Sequence, residues 1–222
     1  MSTWSPTFSA SSLSTEVPTL PAGAYAARIA NASITGKEGK QYFGIQKARV
    51  WNRETKSFDD VLNEDGSQKY EINARILVQA VLTSKKAIDI LGRDEPSFLR
   101  WIDIRFDDKF NLDGNKNMQF AKLMDVVGLD YKDFFQYVDA SSLNTDVPDE
   151  IAHQANASEM VQALDFWRNY FTQVCMAIKD QNVKAVIERK TKTDGSVENV
   201  ITENRTICGF IKYEDGCEND LI

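Results

Sequence analysis

From Ala24 onward the chain alternates. Tyr25, Ala27 and Ile29 share one side of an extended segment and Arg28 takes the other, the period of a strand with one buried face. Leu20-Pro21-Ala22-Gly23 ahead of it is turn chemistry. Gly36-Lys37-Glu38-Gly39-Lys40 interrupts the alternation, which resumes over 41–51, so the two runs predict a β-hairpin. Residues 52–68 are polar and acidic, with an Asp65-Gly66 turn. A long strand is predicted over 69–82, with Tyr70, Ile72, Ala74, Ile76, Val78 and Ala80 on one side. Residues 84–92 read as a short helix closed by Gly92. Over 97–106 the pattern sets Phe98, Ile102, Ile104 and Phe106 against Leu99, Trp101, Asp103 and Arg105.

Two longer helices follow. Phe120, Leu123, Met124 and Val127 fall at i, i+3, i+4 and i+7, with Asn115 or Asn117 to cap and Gly128 to end the helix. After an acidic stretch broken by Pro148, Met160, Leu164, Trp167, Phe171, Cys175 and Ile178 form an apolar stripe that predicts a core-packed helix over 158–179. Residues 183–190, a Thr193-Asp194-Gly195-Ser196 turn and residues 197–211 predict a closing hairpin. The expected organisation is a flexible Ser/Thr-rich arm (1–20), one β-rich domain (21–212) with helical segments near 115–128 and 158–179, and an acidic tail (213–222). The fold class is α+β: an antiparallel β-sheet or OB-like partly open barrel with two main helices added.

Composition supports a real core: 42% of the 222 residues are hydrophobic, including 12 Phe, 7 Tyr and 4 Trp, which excludes a wholly disordered chain. No apolar run is long enough to cross a membrane, and no basic, apolar leader opens the chain. Cys175, Cys208 and Cys217 are too few and too scattered for a disulfide framework or zinc knuckle, so a reducing cytoplasm is expected. The net charge of −7 argues at first against a nucleic-acid partner. Its distribution argues otherwise. Residues 22–58 carry seven Lys or Arg against two Glu, a balance of +5, and residues 183–193 carry four against one, a balance of +3.

Catalytic chemistry is sparse. Gly36 to Gln41 lacks the spacing and the Gly-Lys-Ser/Thr ending of a phosphate-binding loop, His153 has no nucleophile beside it, and no His or Cys pair has metal-ligand spacing. Neither a cofactor nor a metal is expected. One carboxylate pattern stays open: Asp180 with Glu188-x-Lys190 matches the Asp…Glu-x-Lys arrangement of Mg²⁺-dependent nucleases, in which the acids hold the metal and the lysine orients water. The basic stretches, by contrast, interleave with aromatics. Lys37, Lys40, Tyr42, Phe43, Lys47, Arg49, Trp51 and Arg53 are joined by Arg75 and Arg105 on the predicted strands and by Arg189, Lys190 and Lys192 on the closing hairpin. Lys47, Arg49 and Trp51 share a strand face with Phe43 and Ile45, and the 189–192 arm is expected on the same binding surface. Cations that neutralise phosphates beside rings that stack on unpaired bases are what sequence-tolerant single-strand binding needs.

The chain resembles the small phage-encoded single-stranded-DNA-binding proteins. The resemblance lies in Leu20-Pro21-Ala22-Gly23-Ala24-Tyr25-Ala26-Ala27-Arg28-Ile29, Gly39-Lys40-Gln41-Tyr42, Phe110-Asn111-Leu112, the segment 122–129 and the closing hairpin. It implies an antiparallel, OB-like β core and a non-catalytic role in replication, recombination or transcription in the host cytoplasm. Its partners would be single-stranded DNA and a phage DNA or RNA polymerase, with no membrane, and a homo-oligomer is compatible. The polymerase would be recruited through the tail residues Glu214, Asp215, Glu218, Asp220, Leu221 and Ile222, an acidic peptide with an apolar end.

Overall fold

The computed structural model describes residues 18–34, 42–203 and 208–214. Its strands are β1 (Gly23–Ser33), β2 (Phe43–Lys47), β3 (Arg49–Asn52), β4 (Ser57–Asp60), β5 (Tyr70–Leu82), β6 (Ser97–Ile104), β7 (Asn182–Thr191), β8 (Val197–Ile201) and β9 (Phe210–Lys212). Its helices are α1 (Lys85–Leu91), α2 (Met118–Val127) and α3 (Ala157–Ile178). Seven strands make one antiparallel sheet, while β3 and β4 pair only with each other. This is the expected α+β class, with a sheet that is not closed into a barrel.

The hairpin predicted for 24–51 takes a different form. β1 pairs with β5 from Ala27↔Leu82 to Ser33↔Leu77, and β2 pairs with it from Phe43↔Ala74 to Lys47↔Tyr70. Ala74 also pairs with Ile104 of β6, so β6 holds the opposite edge of β5 from both. β1 and β2 are therefore successive pieces of one column running in one direction. Tyr42 N donates to Ile34 O at 3.3 Å where the pieces meet. β8 and β9 share one edge of β7 in the same way. The sheet thus has five columns, in the order β6, β5, β1/β2, β7, β8/β9.

Even-numbered positions of β5 from Ile72 on are buried on the side of α3 with Tyr25, Ala27 and Ile29 of β1, and Ile102 and Ile104 of β6 join the same core. The predicted helix stripe is the other half of this core: Met160, Trp167, Phe171, Cys175 and Ile178 of α3 are buried, and Leu164 packs against them half-buried. The edge columns curl toward each other, and Arg100 Nε of β6 donates to Cys208 O beside β9 at 3.4 Å. α2 packs on β6, β7 and β9 and so covers the mouth between the edges. The helix stop signals act as read, whereas Asn117 stands at the capping position of α2 without a side-chain capping bond. Ser84 Oγ caps α1, and Gly92 (φ 60°) and Gly128 (φ 71°) end α1 and α2 in the left-handed conformation. The acidic stretch forms three 3₁₀ turns, at Tyr131–Tyr137, Ala140–Ser142 and Asp149–Ile151. Pairing of β3 with β4 places a strand inside the polar, acidic stretch 52–68.

Candidate nucleic-acid interface

The expected binding strand divides at Ala48, which is buried and bonded across to Lys69 and Val61. On the near side Phe43 is 1% exposed and packs between Phe106 and Phe171. It is a core residue, and its ring has no face left for a base. Lys47 lies on Phe43's side of the sheet, beyond the core, and makes no ion pair among the described residues. Past Ala48 the β3–β4 ribbon stands apart from the main sheet. Arg49 pairs with Asp60 at 2.9 Å, Arg53 is exposed without an ion pair among the described residues, and Trp51 meets Phe58 edge-on at 5.0 Å. Both rings of that pair are largely exposed.

The closing hairpin does not join this strand on one surface. β7 pairs with β1 from Arg28↔Asn182 to Gly23↔Ile187, so residues 188–192 run out past the start of β1, whereas β2 continues from its end. Eleven residues of β1, about 36 Å at 3.3 Å per residue, separate the two. The arm's cations also divide among themselves. Arg189 is exposed and donates through Nε to Leu20 O at 3.0 Å. Lys190, on the other side, lies 3.7 Å from Glu203, and Lys192 pairs with Glu198 at 2.8 Å. Of the nuclease set, Glu188 accepts from Thr202 Oγ1 at 2.8 Å and Asp180 pairs with Arg28. Among the described residues no group of three or more His, Cys, Asp and Glu is placed to hold a metal ion.

A different assembly forms on the open face of the sheet, opposite α3. The registers Arg75↔Asp103, Leu77↔Trp101 and Gln79↔Leu99 set these side chains side by side, and Tyr42, whose carbonyl accepts from Arg75 N, joins them from the neighbouring column. The Tyr42 and Trp101 rings meet edge-on at 4.3 Å, both half-buried. Next to them opens a cleft of about 660 Å³ lined by Arg75, Arg100, Trp101, Asp103, Arg105, Asn115, Lys116, Met118, Gln119 and Glu203. Four cations against two acids give it a net +2. Arg75 and Arg105 share Asp103, at 2.7 and 3.9 Å. Lys116 donates to Asp113, which holds the ammonium above its ordinary range and the carboxyl below its own, so the pair stays ionised. Of the residues expected to bind, Tyr42, Arg75 and Arg105 come together here. Trp101, Arg100 and Lys116 were missed. The sequence did carry a signal for Trp101, since its alternation already put that ring on one face with Leu99, Asp103 and Arg105.

A second cleft, of about 690 Å³, lies across Arg105 and has the opposite sign, with Glu64, Asp65, Glu71, Asp107 and Asp108 against Lys69 and Arg105. His153 is on its wall, exposed, with Nε2 3.1 Å from Gln68 O. Lys37, Lys40, Asp215, Glu218, Asp220, Leu221 and Ile222 lie outside the described residues, as does the N-terminal arm up to residue 17. Glu214, the first acid of the tail, lies 3.7 Å from the buried Lys184. Among the described residues no helix is long and apolar enough to cross a membrane. Compared with known proteins, the chain matches no family model and no curated protein.

Proposed function

We propose that the protein is a non-catalytic, sequence-tolerant single-stranded-DNA-binding protein of a phage, with the strand laid across the open face of the sheet. The observation that carries this reading is the Trp101–Tyr42 ring pair at the lip of a cleft of net +2. Rings beside cations offer unpaired bases a stacking surface and phosphates a counter-charge, at about 1–3 kcal/mol per stacked base. A duplex keeps its base faces inside and gains only the charge term. The net +2 is local. The rest of the molecule is acidic in net charge, which limits phosphate binding away from its basic segments. The role served is replication, recombination, or holding melted DNA open for a polymerase that the acidic tail recruits.

The test is a fluorescence-anisotropy titration of labelled single-stranded and duplex oligonucleotides of equal length, with and without Mg²⁺. Tighter binding of the single strand is expected, with affinity falling along a log–log salt slope of about −0.7 per phosphate contact. Equal affinity for the two forms at moderate salt would overturn the reading. Mg²⁺-dependent cleavage would replace it with the nuclease built on Glu188 and Lys190.

A further inference from the structure

Arg100 breaks the inward pattern of β6. It occupies the same side as Ile102 and Ile104, and it is 8% exposed. A guanidinium so far removed from water is costly unless an anion or several hydrogen bonds compensate it. Here only Nε is engaged, through a 3.4 Å bond to Cys208 O, and no carboxylate lies within ion-pairing distance among the described residues. The segment 204–207 that leads into Cys208 contains no acid. Every fully buried side-chain polar atom among the described residues has a hydrogen-bond partner. The ends of Arg100 without a partner therefore keep some exposure, and Arg100 is among the residues that line the cleft.

The same cleft receives the amino end of α2 through Asn115, Lys116, Met118 and Gln119. That end has no side-chain cap. Asn117, at the capping position, instead accepts from Arg105 N at 2.8 Å and donates to the carbonyls of Arg105 and Asp113. No acid occupies the first turn of the helix. An uncapped helix start favours an anion through its amides and its dipole, and it faces the same space as an unpaired arginine. The other three cations of the cleft already have carboxylate partners.

We propose that Arg100 and the amino end of α2 hold one phosphate group of the bound strand at a fixed position, while the remaining contacts are interchangeable. This inference rests on the single-strand reading given above. A planar fork suits a phosphate, and the missing anion is the one the strand would supply.

The test compares Arg100→Gln, Arg100→Lys and the remote surface control Lys86→Gln with the unaltered protein, by single-strand anisotropy and by melting without DNA. Arg100→Gln is expected to weaken binding at least tenfold, while the DNA-free melting temperature stays level or rises, because an uncompensated charge has been removed. Arg100→Lys keeps the charge without the fork and is expected to fall between. Binding by Arg100→Gln equal to that of Lys86→Gln would overturn the phosphate site and leave the single-strand reading intact. A lower DNA-free melting temperature in both Arg100 variants would assign the residue a structural role and overturn it too. Failure of the unaltered protein to prefer single strands would remove the reading itself.

Discussion

Replacing Phe43 and Trp101 by alanine, one at a time, separates the two faces of the sheet. Phe43 is 1% exposed and wedged between Phe106 and Phe171. A buried Phe→Ala change costs about 3–5 kcal/mol. In a chain of this size each kcal/mol moves Tm by roughly 2–4 °C, so Phe43→Ala should melt about 6–20 °C lower. Trp101 is half-buried on the open face and has one ring neighbour among the described residues, Tyr42. Its truncation loses partial burial and one aromatic pair, about 1–2 kcal/mol in all, or a few degrees. Binding should rank the variants the other way. A lost stacking partner is worth about 1–3 kcal/mol, roughly a 5- to 140-fold rise in Kd, for Trp101→Ala and none for Phe43→Ala. Melting by circular dichroism and single-strand anisotropy, read where both variants are fully folded, supply the two numbers. Weaker binding by folded Phe43→Ala, with Trp101→Ala unchanged, would refute the assignment of faces.

Gly209 has φ 89°, and a Cβ there would stand 2.4 Å from Ile201 Cγ2 and 3.2 Å from Thr202 O. Gly209→Ala should therefore lower the urea midpoint by the equivalent of about 2–5 kcal/mol, from backbone strain plus overpacking. Burial pushes the Cys175 thiol up to about 12 and the Cys208 thiol to about 11, from an ordinary 9.0. The folded chain then keeps protons that the unfolded chain loses above pH 9, so both thiols make stability fall as pH rises from about 9 toward 11–12. Urea midpoints measured from pH 7 to 11 should be level at first and then decline, and Cys175→Ala with Cys208→Ala should flatten the decline relative to the parent.

Much of the architecture was legible because its signals are local. Ser84 and Gly92 bracket α1, the 160–178 stripe is the core face of α3, and Gly195 (φ 83°) turns β7 into β8. What was not legible depends on partners distant in sequence. A strand, a glycine-rich break and a second strand read as a hairpin, yet the same pattern serves one column interrupted along β5, and only β5's register decides between them. Periodicity put Phe43 on a face but could not say that α3 would cover it. The candidate surface was half legible. Arg75 and Arg105 were expected, whereas Trp101 reaches Tyr42 only because β6 and β2 flank β5 on opposite edges. Arg100 was the most informative residue passed over, since a charge at an inward strand position asks for a partner.

The interrupted column also bears on how this fold can be modified. Ile34 and Tyr42 are joined by a backbone hydrogen bond, so the described pieces end and resume at neighbouring points. The anchoring residues on both sides owe their register to β5 and not to the seven residues between them. Closing a loop costs only about 0.6 kcal/mol more for each doubling of its length. A reporter peptide or a small foreign domain could be spliced between residues 34 and 42 without disturbing strand order. The same holds between Glu203 and Cys208 for register, but there the graft would crowd the carbonyl that holds Arg100. The fold thus offers one insertion point whose register is set by β5 and one that would crowd the proposed phosphate site.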